Sequence, residues 1–314
     1  MRLYDAHDQY LRWLSATKDL SPHTLRAYSG DIATLNRYLG HGGTVTLIDH
    51  DSTIAFMEAQ RAAGLSARSL RRRASGLRGF CRWLVVHDLL AADPWLGTTI
   101  ATGRPRKLPR IVPAHDLGRL FESLRGAAAI PPASDVTAPL KQPHESATLL
   151  AVALMLATGL RVNELVTIDC EALDIHEGTV RLVGKGRRER HVFLANAWLI
   201  TFTGAFLETR ATLGIPHGRL LFNRRLAPLT TAAMRARLLN AARDAGVATR
   251  LTPHMLRHTA ATQLIEAGVD IRYIQRLLGH ASLTTTEIYT HISDRALKRV
   301  VSDADVLQGL LHHR

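Results

Sequence analysis

Residues 147–158 read ATLLAVALMLAT, twelve positions without a charge, a proline or a glycine. A surface helix carries one apolar stripe, whereas a segment that is apolar all round has to be surrounded. The run is too short to cross a bilayer, which takes about 20 apolar residues. It is expected to be a helix at the centre of a core, with the other elements packed around it. Gly159 stops it, and Arg161 follows at once in GLRVNEL. An arginine at that place is held by packing beside the end of the most buried helix. Glu164, three residues on, is placed to orient the guanidinium; a plain structural ion pair is the alternative.

The surrounding chain is mostly helical by period. Ser21-Pro22 caps and starts one helix, in which Leu25, Tyr28, Ile32, Leu35 and Leu39 recur at steps of three and four until glycines at 40–43 end it. A shorter helix precedes it over 3–14. A third is expected over 52–63, and a fourth starts at Ser66 with Leu70, Leu77, Phe80, Cys81 and Leu84 on its apolar stripe. These four make a domain over residues 1–100. Residues 101–112 hold prolines and basic residues and form an extended linker. The remainder, 113–314, forms a larger domain. In it a helix at 113–124 precedes an aperiodic Ala/Pro-rich stretch at 126–146, expected to be a mobile loop. After the central helix the period changes to alternation at 173–175, 179–183 and 190–194, the pattern of a small antiparallel sheet. Helices follow near 197–213, 230–245, 253–266, 271–278 and 282–290. The tail from 293 keeps Leu297, Val300, Val301, Val306, Leu307 and Leu310 at helical spacing, so it needs a surface to pack on, with a neighbouring molecule as one choice. The expected fold is mainly α: a four-helix N-terminal domain and a larger, mostly helical α+β domain with a three-stranded antiparallel sheet.

Charge narrows the partners. The net charge is +13, and the excess is shared, with 16 basic against 9 acidic residues up to residue 110 and 24 against 18 beyond it. A globular chain this basic meets a polyanion, and positive charge in both parts suits a protein that surrounds its partner. On the fourth helix Arg68, Arg71, Arg72, Arg73 and Arg78 lie off the apolar stripe, and no acidic residue occurs from 61 to 87. Like charges at this spacing destabilise a helix unless something neutralises them. Phosphates of double-stranded DNA would do so, and would position a duplex without reading its bases. Arg104, Arg106 and Lys107 in the linker are placed to lie along the same backbone. A solvated face and an ordinary loop are the alternatives. The two cysteines, Cys81 and Cys170, read as reduced core thiols, not a disulfide framework or a zinc cluster. The first residues lack the apolar core of a signal peptide, and a cytoplasmic protein without a membrane segment is expected.

The polar residues gather in 251–291. His254 and Arg257 share a helix face. His258 lies four residues beyond His254, but position 255 is Met where a zinc-protease motif has Glu, so His258 is taken as structural and no metal is expected. His280 follows Gly279, and Tyr289 has no evident core role. Upstream, Lys185 sits between two glycines at a hairpin tip. With no carboxylate cluster for a magnesium ion, attack on a phosphodiester would need side-chain cations. Arg161 and Arg257 suit this, since each can donate paired hydrogen bonds to non-bridging oxygens as charge develops. A tyrosine nucleophile with a pKa of about 10 costs roughly 4 kcal/mol to ionise at neutral pH. His254 is placed to help, and Lys185 could protonate the leaving oxygen.

Together, GLRVNEL, the GKG hairpin, HMLRHT, LLGH and Tyr289 resemble the ordered signature of tyrosine recombinases, the phage-integrase and Xer group. The resemblance is strongest over 145–295, and SPHTLRAYSGDIATL is similar to the start of that family's core-binding domain. It implies an active site of Arg161, Lys185, His254, Arg257, His280 and Tyr289, with Glu164 supporting the first arginine. It implies a 3′-phosphotyrosyl intermediate, no metal or other cofactor, and four protomers on two DNA duplexes with each C-terminal helix docked on a neighbour. The 126–146 stretch departs from the compact Xer pattern, so a phage or mobile-element enzyme is expected equally. Two other readings stay open at this point: a type IB topoisomerase-like enzyme that relaxes DNA as a monomer, and a helical DNA-binding regulator in which these residues are inert.

Overall fold

The computed structural model describes residues 1–18, 20, 22–40, 42–98, 111–131, 136, 138–183, 189–279 and 294–305. The chain divides into two compact units, Met1–Lys107 and Leu108–Arg314.

In the first unit, four helices pack around one core: α1 (Leu3–Thr17), α2 (Pro22–Leu39), α3 (His50–Ala62) and α4 (Ala67–Val86). Leu3, Ile32, Leu35, Phe56, Leu77, Phe80 and Leu84 are fully buried there. The ring of Tyr10 packs 5.3 Å from Phe80 and 5.5 Å from Trp83, and burial pushes its phenol up to about 12. α3 starts two residues before the expected position because Asp49 closes a capping box: its carboxylate accepts from the Ser52 N–H at 2.7 Å, and the Ser52 hydroxyl accepts from the Asp49 N–H at 2.9 Å. Cys81 is buried, with its thiol pushed up to about 12 mainly by that burial; Cys170, in the second unit, is half-buried, and both are free thiols.

α4 requires a correction. Its own sequence contains no acid, but α2 brings one to it. Asp31 is 2% exposed and accepts two hydrogen bonds from Arg72, at 2.5 and 2.6 Å, and one from Arg73 at 3.1 Å. Arg73 also donates to Gln60 on α3. Arg78 donates to the Thr98 carbonyl at 2.6 Å and lies over the Trp95 ring. Three of the five arginines attributed to a phosphate-binding face are therefore at least partly engaged in holding the unit together. Arg68 and Arg71 are exposed, with no partner among the described residues. Arg104, Arg106 and Lys107 lie outside the described residues.

The second unit is built on α6 (Pro143–Thr158), with every residue from 146 to 158 buried. α5 (Ala114–Ala128), α8 (Ala197–Thr212), α9 (Thr231–Asp244) and α10 (Pro253–Glu266) pack against it. The expected loop is shorter and better anchored than its composition suggests. α5 runs on to Ala128 and α6 starts at Pro143. Between them Ile130, Val136 and Leu140 are buried in the same core, and the Leu140 N–H donates to the Thr209 hydroxyl at 2.8 Å. Alanine and proline hide the period there, but the apolar side chains between them still find the core.

After the short helix α7 (Val162–Val166) come β1 (Leu173–Asp174), β2 (Thr179–Val183) and β3 (Glu189–Phe193), an antiparallel sheet in that order with Val180 opposite Val192 and Leu182 opposite Arg190. α11 (Ile271–Leu278) follows α10. α12 (Asp294–Ala304) packs on β3 of its own chain. There Val301 is buried, Lys298 donates to the Glu177 carbonyl at 2.6 Å, and the Asn196 amide donates to both Asp305 oxygens at 2.8 and 3.0 Å. The described part of the tail thus packs on a surface within its own chain, where the sequence had left that surface open with a neighbouring molecule as one choice. Val306, Leu307 and Leu310 lie outside the described residues. Among the described residues no helix is long and apolar enough to cross a membrane.

Asp31→Ala is expected to lower the unfolding free energy by about 2 kcal/mol, the scale of charge-assisted hydrogen bonds that leave buried partners behind. Chemical denaturation of the full chain followed by circular dichroism measures it; an unchanged midpoint would mean that solvent satisfies Arg72 and Arg73 equally well.

Candidate active site

α6 ends at Gly159 in the left-handed conformation (φ +64), and a Cβ there would collide with the Leu278 side chain. The ends of α6 and α11 therefore abut, and α7 begins three residues after Gly159. Arg161 is the N-cap of α7. Its own N–H donates to Glu164 Oε2 at 2.8 Å and its Nη1 to Glu164 Oε1 at 2.9 Å, while Nη2 reaches the Gly279 carbonyl at 3.2 Å. Glu164 orients Arg161 as the spacing suggested, and it also caps the helix that carries it.

Arg257 comes from the buried side of α10. It is 5% exposed, donates from Nη1 to the Gly159 carbonyl at 2.6 Å and from Nη2 to the Leu278 carbonyl at 2.7 Å, and lies 4.0 Å from Glu164 Oε2. A third arginine, Arg190 on β3, grips the same carboxylate with both prongs, at 3.0 and 2.9 Å, and donates from Nε to the Leu277 carbonyl at 3.3 Å. Three arginines thus share one carboxylate and three consecutive carbonyls, 277 to 279, at the negative end of α11.

Burial, and next the charge on Arg161, lower the Arg257 pKa to about 10, so it stays cationic at neutral pH. Burial alone would raise the Glu164 pKa; the hydrogen bonds from Arg190 and Arg161 outweigh it and hold the carboxyl below its ordinary value.

His254 stands on the exposed side of the first turn of α10, after Thr252, whose hydroxyl caps the helix, and Pro253 at the first helical position. It lines a cleft of about 400 Å³ together with Arg161, Arg257, Arg235 and Arg250, and no described carboxylate lines that cleft. The structure therefore brings Arg161, Glu164, His254 and Arg257 together from positions nearly a hundred residues apart. Lys185, His280 and Tyr289 lie outside the described residues. In the sequence Lys185 stands two positions after Val183, the end of β2; His280 directly follows Gly279; and Tyr289 stands five positions before Asp294, the start of α12.

Sequence reasoning missed Arg190, Arg235 and Arg250. Arg190 left a signal: it alternates in phase with Val192 and pairs in register with Leu182, so an arginine faces the buried side of a strand and needs a buried partner. Arg235 and Arg250 left none beyond the charge total, because only the fold brings them to the cleft.

The family model of the phage integrase family matches residues 133–296, and that of the phage integrase N-terminal SAM-like domain matches residues 7–87. The chain belongs to the phage integrase family. Among its relatives, tyrosine recombinase XerC of Xylella fastidiosa is 34% identical over 300 residues, 95% of either chain. Tyrosine recombinase XerD of Listeria innocua is 31% identical over 303 residues, 94% of this chain and 97% of its own. In the solved structure of a lambda integrase tetramer bound to a Holliday junction, the integrase matches 97% of this chain and 78% of its own at 18% identity, with a TM-score of 0.67, a likeness of fold. The full-length similarity to XerC and XerD holds despite the 126–146 stretch. The matched integrase segment contains all six candidate catalytic positions.

Glu164 makes stability depend on pH in a defined direction. Its folded pKa lies below the ordinary 4.5, so its contribution is present above that value and is lost as pH falls through the folded pKa. The thermal midpoint of the wild type is expected to exceed that of Glu164→Gln at neutral pH, and the gap to narrow between about pH 5 and pH 3. Calorimetry of both proteins across that range checks this; a constant gap would mean that the ionisation of Glu164 contributes nothing to stability.

Proposed function

We propose that this protein is a site-specific DNA recombinase that cuts and rejoins strands through a 3′-phosphotyrosyl intermediate. The observation that carries the reading is the pairing of Arg161 and Arg257 beside His254 in a basic cleft without a described carboxylate, in a chain related over its full length to XerC and XerD. Each guanidinium has five N–H donors. Arg161 and Arg257 each spend two of theirs on protein oxygens, leaving donors for a phosphate whose non-bridging oxygens gain charge in the transition state.

In this mechanism the Tyr289 oxygen attacks the scissile phosphorus. The new O–P bond forms as the bond to the 5′ oxygen breaks. The tyrosine proton passes to His254 as base, and Lys185 protonates the leaving 5′ oxygen; His280 donates to the phosphate. The released hydroxyl of the partner strand then attacks the phosphotyrosine and reverses these transfers. Phosphodiester bond energy is kept in the link, so the cycle needs no ATP and no metal. Residues 1–100 act as the core-binding domain, with Arg68 and Arg71 free for backbone phosphates, and Arg104, Arg106 and Lys107 in the 101–112 linker add contacts. Arg235 and Arg250 supply further phosphate contacts beside the scissile one. A tetramer on two duplexes in the cytoplasm completes the reading. The lambda integrase tetramer on a Holliday junction supports the assembly, and the similarity to named recombinases favours exchange over topoisomerase-type relaxation or an inert regulator.

The test starts with selection of the bound site from genomic fragments, followed by incubation with a nicked suicide duplex carrying that site. Wild type is expected to form a covalent protein–DNA adduct and Tyr289→Phe none; an adduct with the phenylalanine variant places the nucleophile elsewhere. Separately, Arg235→Ala and Arg250→Ala are each expected to reduce the slope of log affinity against log salt by about 0.9, one phosphate contact apiece. Binding titrations on duplex DNA over a range of salt measure the slope, and an unchanged value removes that residue from the interface.

A further inference from the structure

Arg190 differs from the other two arginines in how its donors are spent. Both prongs of its guanidinium are on Glu164 and its Nε is on the Leu277 carbonyl. A fork filled by a carboxylate is not available to a phosphate. Its partners instead lie on the elements that hold the rest of the site. Glu164 fixes Arg161 through the main-chain N–H and through the guanidinium. Leu277 starts the row of carbonyls whose next two members hold Arg257 and Arg161. Arg190 itself sits one residue into β3, directly after the connection that contains Lys185. Gly279 adds an independent sign of close fit: it is left-handed (φ +62), and a Cβ on it would stand 3.1 Å from the Arg190 guanidinium. The chain therefore leaves α11 toward His280 pressed against Arg190, at a place where only glycine fits without displacing it.

We propose that Arg190 is a positioning residue for strand cleavage. One guanidinium registers the start of β3, and with it the end of the Lys185 connection, against Glu164 and against the end of α11 that anchors Arg257 and Arg161 and leads into His280. The proposal rests on the reading of those residues as the active site. Lysine would not replace it, because a single ammonium cannot grip both carboxylate oxygens and also reach the Leu277 carbonyl.

The experiment compares the full-length wild type with Arg190→Lys and Arg190→Met at a temperature where circular dichroism shows all three folded. It reads the single-turnover rate of adduct formation on the nicked duplex, the affinity for the same duplex, and amide hydrogen exchange at the end of α11. The expected result is a loss in rate on the order of 100-fold in both variants, the scale of an ångström of misplacement at a reacting centre. Affinity is expected to stay near the wild-type value, exchange at the end of α11 to be faster, and lysine to give no rescue. A wild-type rate in Arg190→Met, or full rescue by lysine, overturns the proposal. So does a loss of affinity in step with rate, which would mark a merely structural role. A wild type that forms no adduct sinks the active-site reading and the cleavage role together, whereas a silent Arg190 in an active wild type sinks this proposal alone.

Discussion

Glu164 is the point on which the arginine cluster of the second unit turns. Three guanidiniums cannot be packed into one place against their mutual repulsion unless something holds them, and here a single carboxylate and the carbonyl end of α11 do so. The compensation is deliberately incomplete. Three positive charges face one negative charge and a helix-end dipole, so the cluster keeps a surplus that a phosphate can complete. In the proposed reaction, donors already aimed and held would leave little reorganisation for the bond-breaking step. The central apolar helix serves the same end: its buried length fixes Gly159, and Gly159 fixes the carbonyl to which Arg257 is tied.

The N-terminal unit uses the same device for another purpose. Asp31 is a buried carboxylate that gathers Arg72 and Arg73, but there the arginines fasten one helix to another. The difference lies in what remains open. At Glu164, two of the three guanidiniums border a cleft. At Asp31, Arg73 is taken up by Asp31 and Gln60 together. A row of arginines along one helix therefore mixes structural and solvent-facing members, and only the neighbouring helices sort them.

Among the described residues, helix identity and the small sheet were legible in the sequence because burial leaves a period and because glycines at 64, 159, 246, 268 and 279 mark the stops; the helix expected over 282–290 lies outside them. The mainly α architecture followed from those. So did the pairing of Arg161 with Glu164, which are three residues apart on one short helix. What stayed hidden depended on distance along the chain. Asp31 meets Arg72 across 41 residues, and Arg190 meets Leu277 across 87; no local pattern encodes such a meeting. The 126–146 stretch misled for a different reason: its buried residues are too few and too irregularly spaced to form a period, yet Val136 and Leu140 still reach the core.

The seat of α12 carries a consequence for assembly. A tail bound to its own chain is a tethered competitor, present at a fixed effective concentration that dilution does not lower. A second copy that offers its own seat has to exceed that local concentration before the helix changes hands. The contacts of Val301, Lys298 and Asp305 are thus what the seat on any second copy would have to outcompete.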